Sequence, residues 1–330
     1  MPRNEKILVT GAAGYIGSHV VLALLGAGYR PVVLDNLSTG SREMVDPEAQ
    51  FVEGEAGDEA AVAALIAQEG CKAVMHFAGS IQVAESVAEP LKYYDNNVST
   101  SVALLRACRR QDISAFIFSS TAAVYQSRTD RVIKEEDLLA PASPYGRSKL
   151  MVEQMLGDAS AAYDLRHIAL RYFNVAGADP ALRTGQCGKE ATHLIKRASQ
   201  AAVGSLPEIT VFGTDYDTED GTCVRDYIHV SDLATAHVAA LDHLLQSNGE
   251  GGTYNCGYGS GYSVSQVLDA VDRQLDTPLP RKFGPRRAGD PASLIADSTR
   301  LRETFNWQPA HDDLDHIVAT ALAWERKLHG

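Results

Sequence analysis

The sequence predicts an α/β protein with a doubly wound parallel sheet, followed by a smaller C-terminal α/β domain that would bind substrate. Short runs rich in Val, Ile and Phe alternate with longer helical patterns in the first half of the chain. This alternation is typical of parallel strands covered by helices on both faces. The runs are KILVT, PVVLD, FVE, AVMHFAG, AFIFSS and IALRYF. After Asn174 the pattern loosens into Gly-rich and charged segments, where long loops are expected to contact a ligand.

The length of 330 residues is sufficient for two domains. We expect residues 1–172 to form the first domain and residues 173–330 the second. A helical pattern at 232–245 and the apolar segment TYNCG indicate that residues 226–259 return to the first domain. Ser263 and Gln266 predict a capping box at the start of a helix over 264–275, and the chain closes with an amphipathic helix.

The composition excludes several classes of protein. With 30 Lys and Arg against 42 Asp and Glu, the chain is a poor candidate for binding nucleic acid. It has no apolar run of the length that a membrane span needs and no pattern of a signal peptide, so we expect a cytoplasmic protein without a membrane partner. Histidines and cysteines show no metal-ligand spacing, which predicts no metal site and buried free thiols. The cysteines are Cys71, Cys108, Cys187, Cys223 and Cys256.

A glycine-rich segment, GAAGYIGSH, follows the first predicted strand directly. Gly11, Gly14 and Gly17 suit a tight strand-to-helix turn with a pyrophosphate at the helix N-terminus. Their spacing is G-x-x-G-x-x-G, which differs from the general G-x-G-x-x-G fingerprint. The second strand ends at Asp35, where a carboxylate can accept from both ribose hydroxyls and would repel a 2′-phosphate. The pattern therefore predicts a Rossmann-type site that favours NAD over NADP.

The segment SPYGRSKLMVE carries the candidate chemistry. Ser143 and Pro144 suit the N-cap and first position of a helix, which places Tyr145 and Lys149 on one face. A phenol ionises near pH 10, and a nearby ammonium favours the phenolate. Thr121, at the end of the fifth predicted strand, could share a proton with Tyr145. The spacing alone also suits an exposed tyrosine and a solvated lysine with no role in catalysis. The glycine turn and the acidic strand end earlier in the chain favour the catalytic interpretation.

Together these motifs resemble the extended short-chain dehydrogenase/reductase superfamily and, within it, the UDP-glucose 4-epimerase family. The resemblance covers nearly the whole chain, through VTGAAGYIGSH, LDNLSTG, HFAG, ESVAEPLKYYDNNV, FSSTAAVY, SPYGRSKLMVE, LRYFNVAGAD, EDGTCVRDYIHVSDLA and PRRAGDPASLIAD. It implies a tightly held NAD that is reduced and reoxidised in each turnover while C4 of a UDP-hexose is inverted through a 4-keto intermediate. Tyr145 would be the base, Lys149 would lower its pKa and hold the nicotinamide ribose, and Thr121 would be the catalytic hydroxyl.

The resemblance also implies two sets of binding residues and a homodimer that packs two helices from each subunit. The cofactor set is Gly11, Gly14, Tyr15, Ile16, Gly17, Asp35, Asn36, Ser38, Glu55, Ala56, Phe77, Ala78, Gly79, Asn97, Ser119, Tyr145, Lys149, Tyr172 and Phe173. The substrate set is Thr121, Asn174, His193, Leu194, Thr210, Phe212, Arg225, Arg287, Asp290 and Leu294.

Three positions depart from the family pattern. Glu55 replaces an aspartate that holds adenine, and Ile81 stands where some members have a lysine that contacts the cofactor phosphates, so retention of NAD could be weaker. Leu294 is intermediate between the tyrosine of glucose/galactose-restricted members and the small residue of members that accept N-acetylated sugars. UDP-xylose/UDP-arabinose and UDP-N-acetylhexosamine therefore remain alternative substrates.

Other reaction classes are less favoured. A 4,6-dehydratase normally has Asp-Glu directly after its threonine, whereas Ala122 and Ala123 follow Thr121 here. A simple alcohol dehydrogenase would depend on added cofactor. A non-enzymatic NAD-sensing protein would have little need for an intact Thr/Tyr/Lys set.

Overall fold

A computed structural model describes residues 4–126, 132–188, 192–246, 248–287 and 290–330. The strands are β1 (Lys6–Thr10), β2 (Arg30–Asp35), β3 (Gln50–Glu53), β4 (Ala73–His76), β5 (Ala115–Thr121), β6 (Arg166–Tyr172), β7 (Asn174–Ala176), β8 (Ile209–Phe212), β9 (Val224–Arg225), β10 (Tyr227–His229), β11 (Gly252–Cys256), β12 (Tyr262–Ser263), β13 (Arg281–Gly284) and β14 (Ser293–Leu294).

The α-helices are α1 (Tyr15–Gly26), α2 (Glu59–Glu69), α3 (Val83–Ala88), α4 (Pro90–Tyr93), α5 (Thr100–Arg110), α6 (Pro144–Ala162), α7 (Leu194–Ala202), α8 (Val230–Leu245), α9 (Val264–Asp272), α10 (Thr299–Phe305) and α11 (Leu314–His329). Short 3₁₀ turns cover Arg42–Met44 and Ala122–Val124, and a π-helical segment covers Tyr94–Ser99.

The central feature is a seven-stranded sheet with the order β11-β6-β5-β4-β1-β2-β3. Strand β1 pairs in parallel with β2 on one side and with β4 on the other. The direction of winding reverses between β1 and β4, and doubly wound sheets bind ligands outside the carboxyl ends of the strands at such a switch point. The predicted fold class is confirmed, because each predicted apolar run lies on a strand of this sheet.

The chain divides into two compact units. The first comprises residues 1–125, 139–171 and 234–254, and the second comprises residues 126–138, 172–233 and 255–330. The division into domains at 1–172 and 173–330, with a return of 226–259 to the first, stays a prediction.

Within the first unit, the core lies between the sheet and the helices that cover it. Leu8, Val32 and Phe116 of the strands pack with Ile66 of α2 and Leu104 of α5 in one buried apolar cluster. Burial of such side chains is the main favourable contribution to folding. This core fixes the strand ends from which the cofactor loops start.

The second unit contains short strand pairs and four helices among its described residues. Strand β7 pairs with β10, β8 with β13, and β9 with both β12 and β14. Helix α9 begins with the predicted capping box of Ser263 and Gln266. The predicted end at Leu275 is wrong, because α9 ends at Asp272, whose Oδ1 accepts from the Leu279 backbone N–H at 2.8 Å as the chain turns.

Two further predictions concern termini and thiols. Helix α11 forms as expected, with Asp313 accepting from the His316 backbone N–H at its N-cap. All five thiols are free, but Cys187 is partly exposed, so the prediction of burial is wrong for it. Of the helices in the described ranges, none is long and apolar enough to cross a membrane.

Candidate active site

The turn between β1 and α1 explains why glycine occupies two of its three motif positions. Gly11 has φ +72°, and a Cβ there would lie 2.3 Å from the backbone nitrogen of Ala78. A Cβ at Gly17 would lie 2.6 Å from the Gly11 carbonyl oxygen. The absence of a side chain therefore lets Gly11 pack against the backbone at Ala78 and lets Gly17 pack against the Gly11 carbonyl.

Gly14 is the N-cap of α1 and has no side chain to accept from the first turn. A Cβ at Gly14 would lie 3.2 Å from the Gly11 carbonyl oxygen. The first-turn N–H groups of a helix without a side-chain cap need another acceptor, which an anion can provide. The turn, which includes Tyr15 and Ile16 as the first residues of α1, therefore suits a pyrophosphate.

Asp35 connects the end of β2 to this turn. Its Oδ2 accepts from the Ala13 backbone N–H at 2.8 Å, and its Oδ1 accepts from the Leu37 backbone N–H at 2.9 Å. Asn36 donates from Nδ2 to both carboxylate oxygens of Glu55, and its Oδ1 accepts from the Ser38 N–H. Asn36 thus joins the expected adenine ligand Glu55 to the residue that follows the expected ribose ligand Asp35, and Ala56, next to Glu55 in the chain, is buried.

Tyr145 and Thr121 meet where α6 approaches the end of β5. Ser143 caps α6 by accepting from the Gly146 N–H at 3.1 Å, as the sequence predicted. A Cβ at Gly146 would lie 2.3 Å from the Ala123 carbonyl oxygen, so glycine permits this close approach. Burial raises the pKa of the partly exposed Tyr145, while a hydrogen bond with Thr121 lowers it. The expected lowering of this pKa is therefore not achieved by the side chains alone.

Lys149 is 2 % exposed and lies one turn after Tyr145 on α6. Its Nζ donates to the backbone oxygen of Ser119 at 2.8 Å and lies 4.9 Å from the ring centroid of Phe118. Burial lowers the pKa of Lys149 to about 8, and the charge of Glu153 opposes that change. The ammonium is thus held at the strand end that also carries Thr121.

The π-helical segment Tyr94–Ser99 places Asn97 beside this group. Asn97 accepts from the Ser80 N–H through Oδ1 and donates to Ser148 of α6 through Nδ2. A Cβ on Gly79 would meet Asn97 Oδ1 at 3.0 Å and Lys149 Nζ at 3.6 Å. Asn97, Gly79 and Lys149 therefore lie together.

Phe77 follows β4 and packs against His237, with ring centroids 4.9 Å apart.

The sequence interpretation missed Tyr93 of α4. Its ring is fully buried and stands edge-on to Tyr145, with centroids 6.4 Å apart. Its hydroxyl accepts from the Gln82 N–H and donates to Glu85. An aromatic residue in a helical pattern carries no signal that distinguishes this position from an ordinary core position.

In the second unit, Asn174, His193 and Leu194 line one cavity together with Gln186 and Tyr227. Asn174 begins β7 next to the buried pair Tyr172 and Phe173. Gln186 donates from Nε2 to His193 Nδ1 at 2.8 Å, and burial lowers the pKa of His193. A neutral imidazole that accepts at Nδ1 carries its proton on Nε2, which leaves a donor available for a ligand.

The remaining predicted substrate residues lie on short strands or in the segments next to them. Arg225 donates from Nη2 to Asp290 Oδ1 at 2.7 Å, and Leu294 is the parallel partner of Arg225 in the β9–β14 pair. The Arg287 guanidinium lies 4.1 Å from the ring centroid of Phe212 on β8, the strand that also holds Thr210.

Tyr216, which the sequence interpretation missed, is a further candidate ligand near Arg225 and Asp290. It is 6 % exposed, and its hydroxyl has no hydrogen-bond partner in the described part of the chain. The charges of Asp290 and Arg225 act on its pKa, which burial raises. A buried hydroxyl without a partner is unfavourable unless a ligand or water meets it.

Comparison with known proteins identifies the family. Residues 7–257 match the model of the NAD dependent epimerase/dehydratase family. The chain belongs to this family. The match includes the glycine turn, Asp35, Thr121, Tyr145 and Lys149.

Individual relatives agree with the family and cover nearly the whole chain. A UDP-glucose 4-epimerase from Azospirillum brasilense is 53% identical over 325 residues, which is 98% of this chain and 93% of that protein. The crystal structure of UDP-glucose 4-epimerase from Brucella ovis in complex with NAD is 44% identical with a TM-score of 0.93, and the match covers 97% of this chain and 98% of the other. The UDP-Glc/GlcNAc 4-epimerase from Campylobacter jejuni is 45% identical with a TM-score of 0.86, over 98% of this chain and 100% of the other.

Proposed function

We propose that the protein is a UDP-glucose/UDP-galactose 4-epimerase that uses bound NAD. The observation that carries this proposal is the grouping of Thr121, Tyr145 and Lys149 where α6 approaches the end of β5: Lys149 donates to the Ser119 carbonyl at 2.8 Å, and Thr121 acts to lower the pKa of Tyr145. A relative named UDP-glucose 4-epimerase at 53% identity supports the same reaction.

The residues around the β1–α1 turn fit NAD. The uncapped start of α1 suits its pyrophosphate, and Asp35 at the end of β2 suits its adenosine ribose and disfavours a 2′-phosphate. We assign the adenine side to Glu55 and the nicotinamide side to Gly79, Asn97 and Lys149. When bound, NAD supplies a reversible two-electron oxidation of the sugar carbon C4.

Tyr145 acts as the base that takes the proton of the sugar 4-hydroxyl and later returns it. The Thr121 hydroxyl hydrogen-bonds both the Tyr145 oxygen and the sugar 4-oxygen, donating to one and accepting from the other. The proton can therefore pass between the sugar and Tyr145. Lys149 supplies a positive charge that favours the phenolate. Because burial alone raises the pKa of Tyr145, this charge and the bound ligands must supply the opposing effect.

Residues of the second unit bind the nucleotide part of the substrate. Guanidinium groups suit a diphosphate, so we assign Arg225 and Arg287 to it and Asp290 to the uridine ribose. We assign the region around uracil and the sugar-diphosphate linkage to Asn174, His193, Leu194, Thr210 and Phe212. Binding energy at UDP retains the reactive 4-keto sugar while the sugar itself turns.

The sugar preference depends on the space at Leu294, which is partly exposed on β14. A UDP-hexose is the proposed substrate, and UDP-N-acetylhexosamines form the second candidate because a 45% identical relative is a UDP-Glc/GlcNAc 4-epimerase.

We further propose a cytoplasmic homodimer. The helices α4 and α6 carry exposed apolar side chains that suit a subunit interface, including Leu91 at 74% and Met151 at 40% exposure. The first proposed domain would bind NAD, and the second would bind the UDP-sugar.

The test is to incubate purified protein, without added NAD, with UDP-galactose, UDP-N-acetylgalactosamine and UDP-xylose in separate reactions. Product sugars are followed by NMR. We expect UDP-glucose from UDP-galactose, and a loss of about 10²-fold or more in rate for Tyr145→Phe with bound NAD retained. Absence of every 4-epimer, or near-normal turnover by Tyr145→Phe, would exclude the proposal.

A further inference from the structure

Glu153 lies on the same face of α6 as the proposed catalytic pair. It follows Lys149 by four residues and Tyr145 by eight, so the three side chains stand on successive turns. Glu153 is 8 % exposed. A carboxylate buried this deeply requires a partner of opposite charge.

Arg171 of β6 is that partner. Its Nε donates to Glu153 Oε1 at 3.0 Å and its Nη2 donates to Glu153 Oε2 at 2.6 Å. Arg171 also donates from Nη1 to the Tyr125 hydroxyl at 2.8 Å. Tyr125 follows directly after the 3₁₀ turn Ala122–Val124, and Thr121 is the N-cap of that turn. The ion pair therefore joins α6 to the segment that follows the catalytic threonine.

Ser120 provides a second and more direct connection. Its hydroxyl donates to Glu153 Oε1. Ser120 stands between Ser119, whose carbonyl accepts from Lys149, and Thr121, the proposed proton partner of Tyr145. Two consecutive residues at the end of β5 are thus bonded to two successive turns of α6, and Thr121 follows them directly.

We propose that Glu153 is a positioning residue for the reaction. Through Ser120 and Arg171, it aligns Tyr145 and Lys149 on α6 with Thr121. The inference rests on the proposed function. It concerns a residue outside the cofactor and substrate sets, since the hydrogen bonds of Glu153 within the described ranges go to Ser120 and Arg171.

The charge of Glu153 has a second effect that separates this role from a purely structural one. Lys149 faces Glu153 on its own helix, the neutral Ser119 carbonyl on β5, and His76 of β4, whose pKa burial lowers to about 3. Glu153 faces Arg171 and His167 of β6. Glu153 is therefore the negative charge that raises the pKa of Lys149 against burial. Its removal leaves Arg171 as an additional positive charge nearby.

The test compares Glu153→Gln with the wild type and with Glu69→Gln. Glu69 is a matched control, because it is a glutamate with an 8% exposed side chain that pairs with Lys6 at 2.7 Å on another part of the first unit. We measure kcat and KM for UDP-galactose from pH 6 to 10, bound NAD per subunit, and the folded fraction. We expect the alkaline limb for Glu153→Gln to move to lower pH by about one unit, with kcat at pH 9 reduced about tenfold and KM changed less than about twofold.

Ser120→Ala keeps the charge and removes one hydrogen bond, so it serves if Glu153→Gln does not fold. We expect a several-fold lower kcat with an unchanged pH profile, NAD content and KM. The inference is wrong if folded Glu153→Gln keeps the wild-type profile, or if Ser120→Ala keeps the wild-type kcat. Failure of the wild type to epimerise any UDP-sugar would instead overturn the proposed function, so the two failures are distinguishable.

Discussion

Arg225 and Asp290, two proposed ligands of the UDP-sugar, form an ion pair with 2.7 Å between Nη2 and Oδ1. The Arg225 side chain is 9% exposed and that of Asp290 is 29% exposed. A bound diphosphate would therefore share a guanidinium that the protein has already fixed in place. Such preorganisation lowers the entropy that binding must overcome.

Replacing Arg225 should weaken UDP binding far more than replacing an arginine in an exposed pair. For Arg225→Met we expect the dissociation constant of UDP, measured by calorimetry, to rise about tenfold or more, because charge-assisted hydrogen bonds are worth about 1.5–3 kcal/mol. Arg273→Met is the control, since Arg273 pairs with Asp315 while both side chains are about half exposed. Equal affinities for the two variants would contradict the assignment of Arg225.

Lys149 should lower the stability of the protein at neutral pH while it supports the reaction. Its pKa is lowered from 10.5 to about 8, so burial of the ammonium costs roughly 3 kcal/mol below pH 8. This cost falls as the pH rises from 8 to 10.5, because the native lysine loses its proton first. Loss of the hydrogen bond to Ser119 in Lys149→Met offsets about 1 kcal/mol of the gain.

For NAD-free protein we therefore expect Lys149→Met to unfold in urea with a free energy about 2 kcal/mol higher than the wild type at pH 7. The difference should shrink between pH 8 and pH 10.5. A difference that stays constant with pH would show that Lys149 carries no such burial cost.

Gly11 should not tolerate a methyl group. Gly11→Ala needs a positive φ and would place its Cβ 2.3 Å from Ala78, so we expect a loss of stability of roughly 2 kcal/mol or more and a weakened cofactor site. Gly26→Ala is the control, since no atom of the described residues outside its own helix and chain neighbours lies within 4 Å of the Cβ, and helix propensity favours alanine there by about 0.5–1 kcal/mol. Melting temperatures check both, and similar values for the two variants would argue against a constrained turn.

Asp35 should set the choice between NAD and NADP. In Asp35→Asn the carboxylate charge is removed while the side-chain oxygen can still accept one backbone hydrogen bond. We expect the ratio of NADP affinity to NAD affinity to rise about tenfold, because a charge that repels a 2′-phosphate is lost. Fluorescence titration of cofactor-free protein checks this, and an unchanged ratio would place the ribose elsewhere.

Features that depend on neighbours along the chain could be predicted from the sequence. The alternation of strands and helices located the strands of the sheet, and Ser143 and Pro144 located the start of α6, because a cap is a local feature. Asp35 could be predicted as a strand-end carboxylate, but its two backbone hydrogen bonds depend on the folded turn.

Features that depend on tertiary contact could not be predicted. Glu153 reads as a polar position on a helix until Arg171 and Ser120 are known to face it. The segment Tyr94–Ser99 reads as an ordinary helix, since no local pattern indicates π geometry. The early end of α9 at Asp272 likewise depends on contacts with Leu279 and Arg281, which lie beyond the helix.

In the proposed reaction, the hydrogen on C4 of the sugar leaves and returns to the same carbon without exchange with water. The most direct measurement uses UDP-galactose carrying deuterium at C4, converted by the purified protein in ordinary water and analysed by NMR and mass spectrometry. We expect UDP-glucose that keeps its deuterium at C4. Loss of the deuterium to solvent, with epimerisation intact, would contradict transfer of this hydrogen to and from bound NAD.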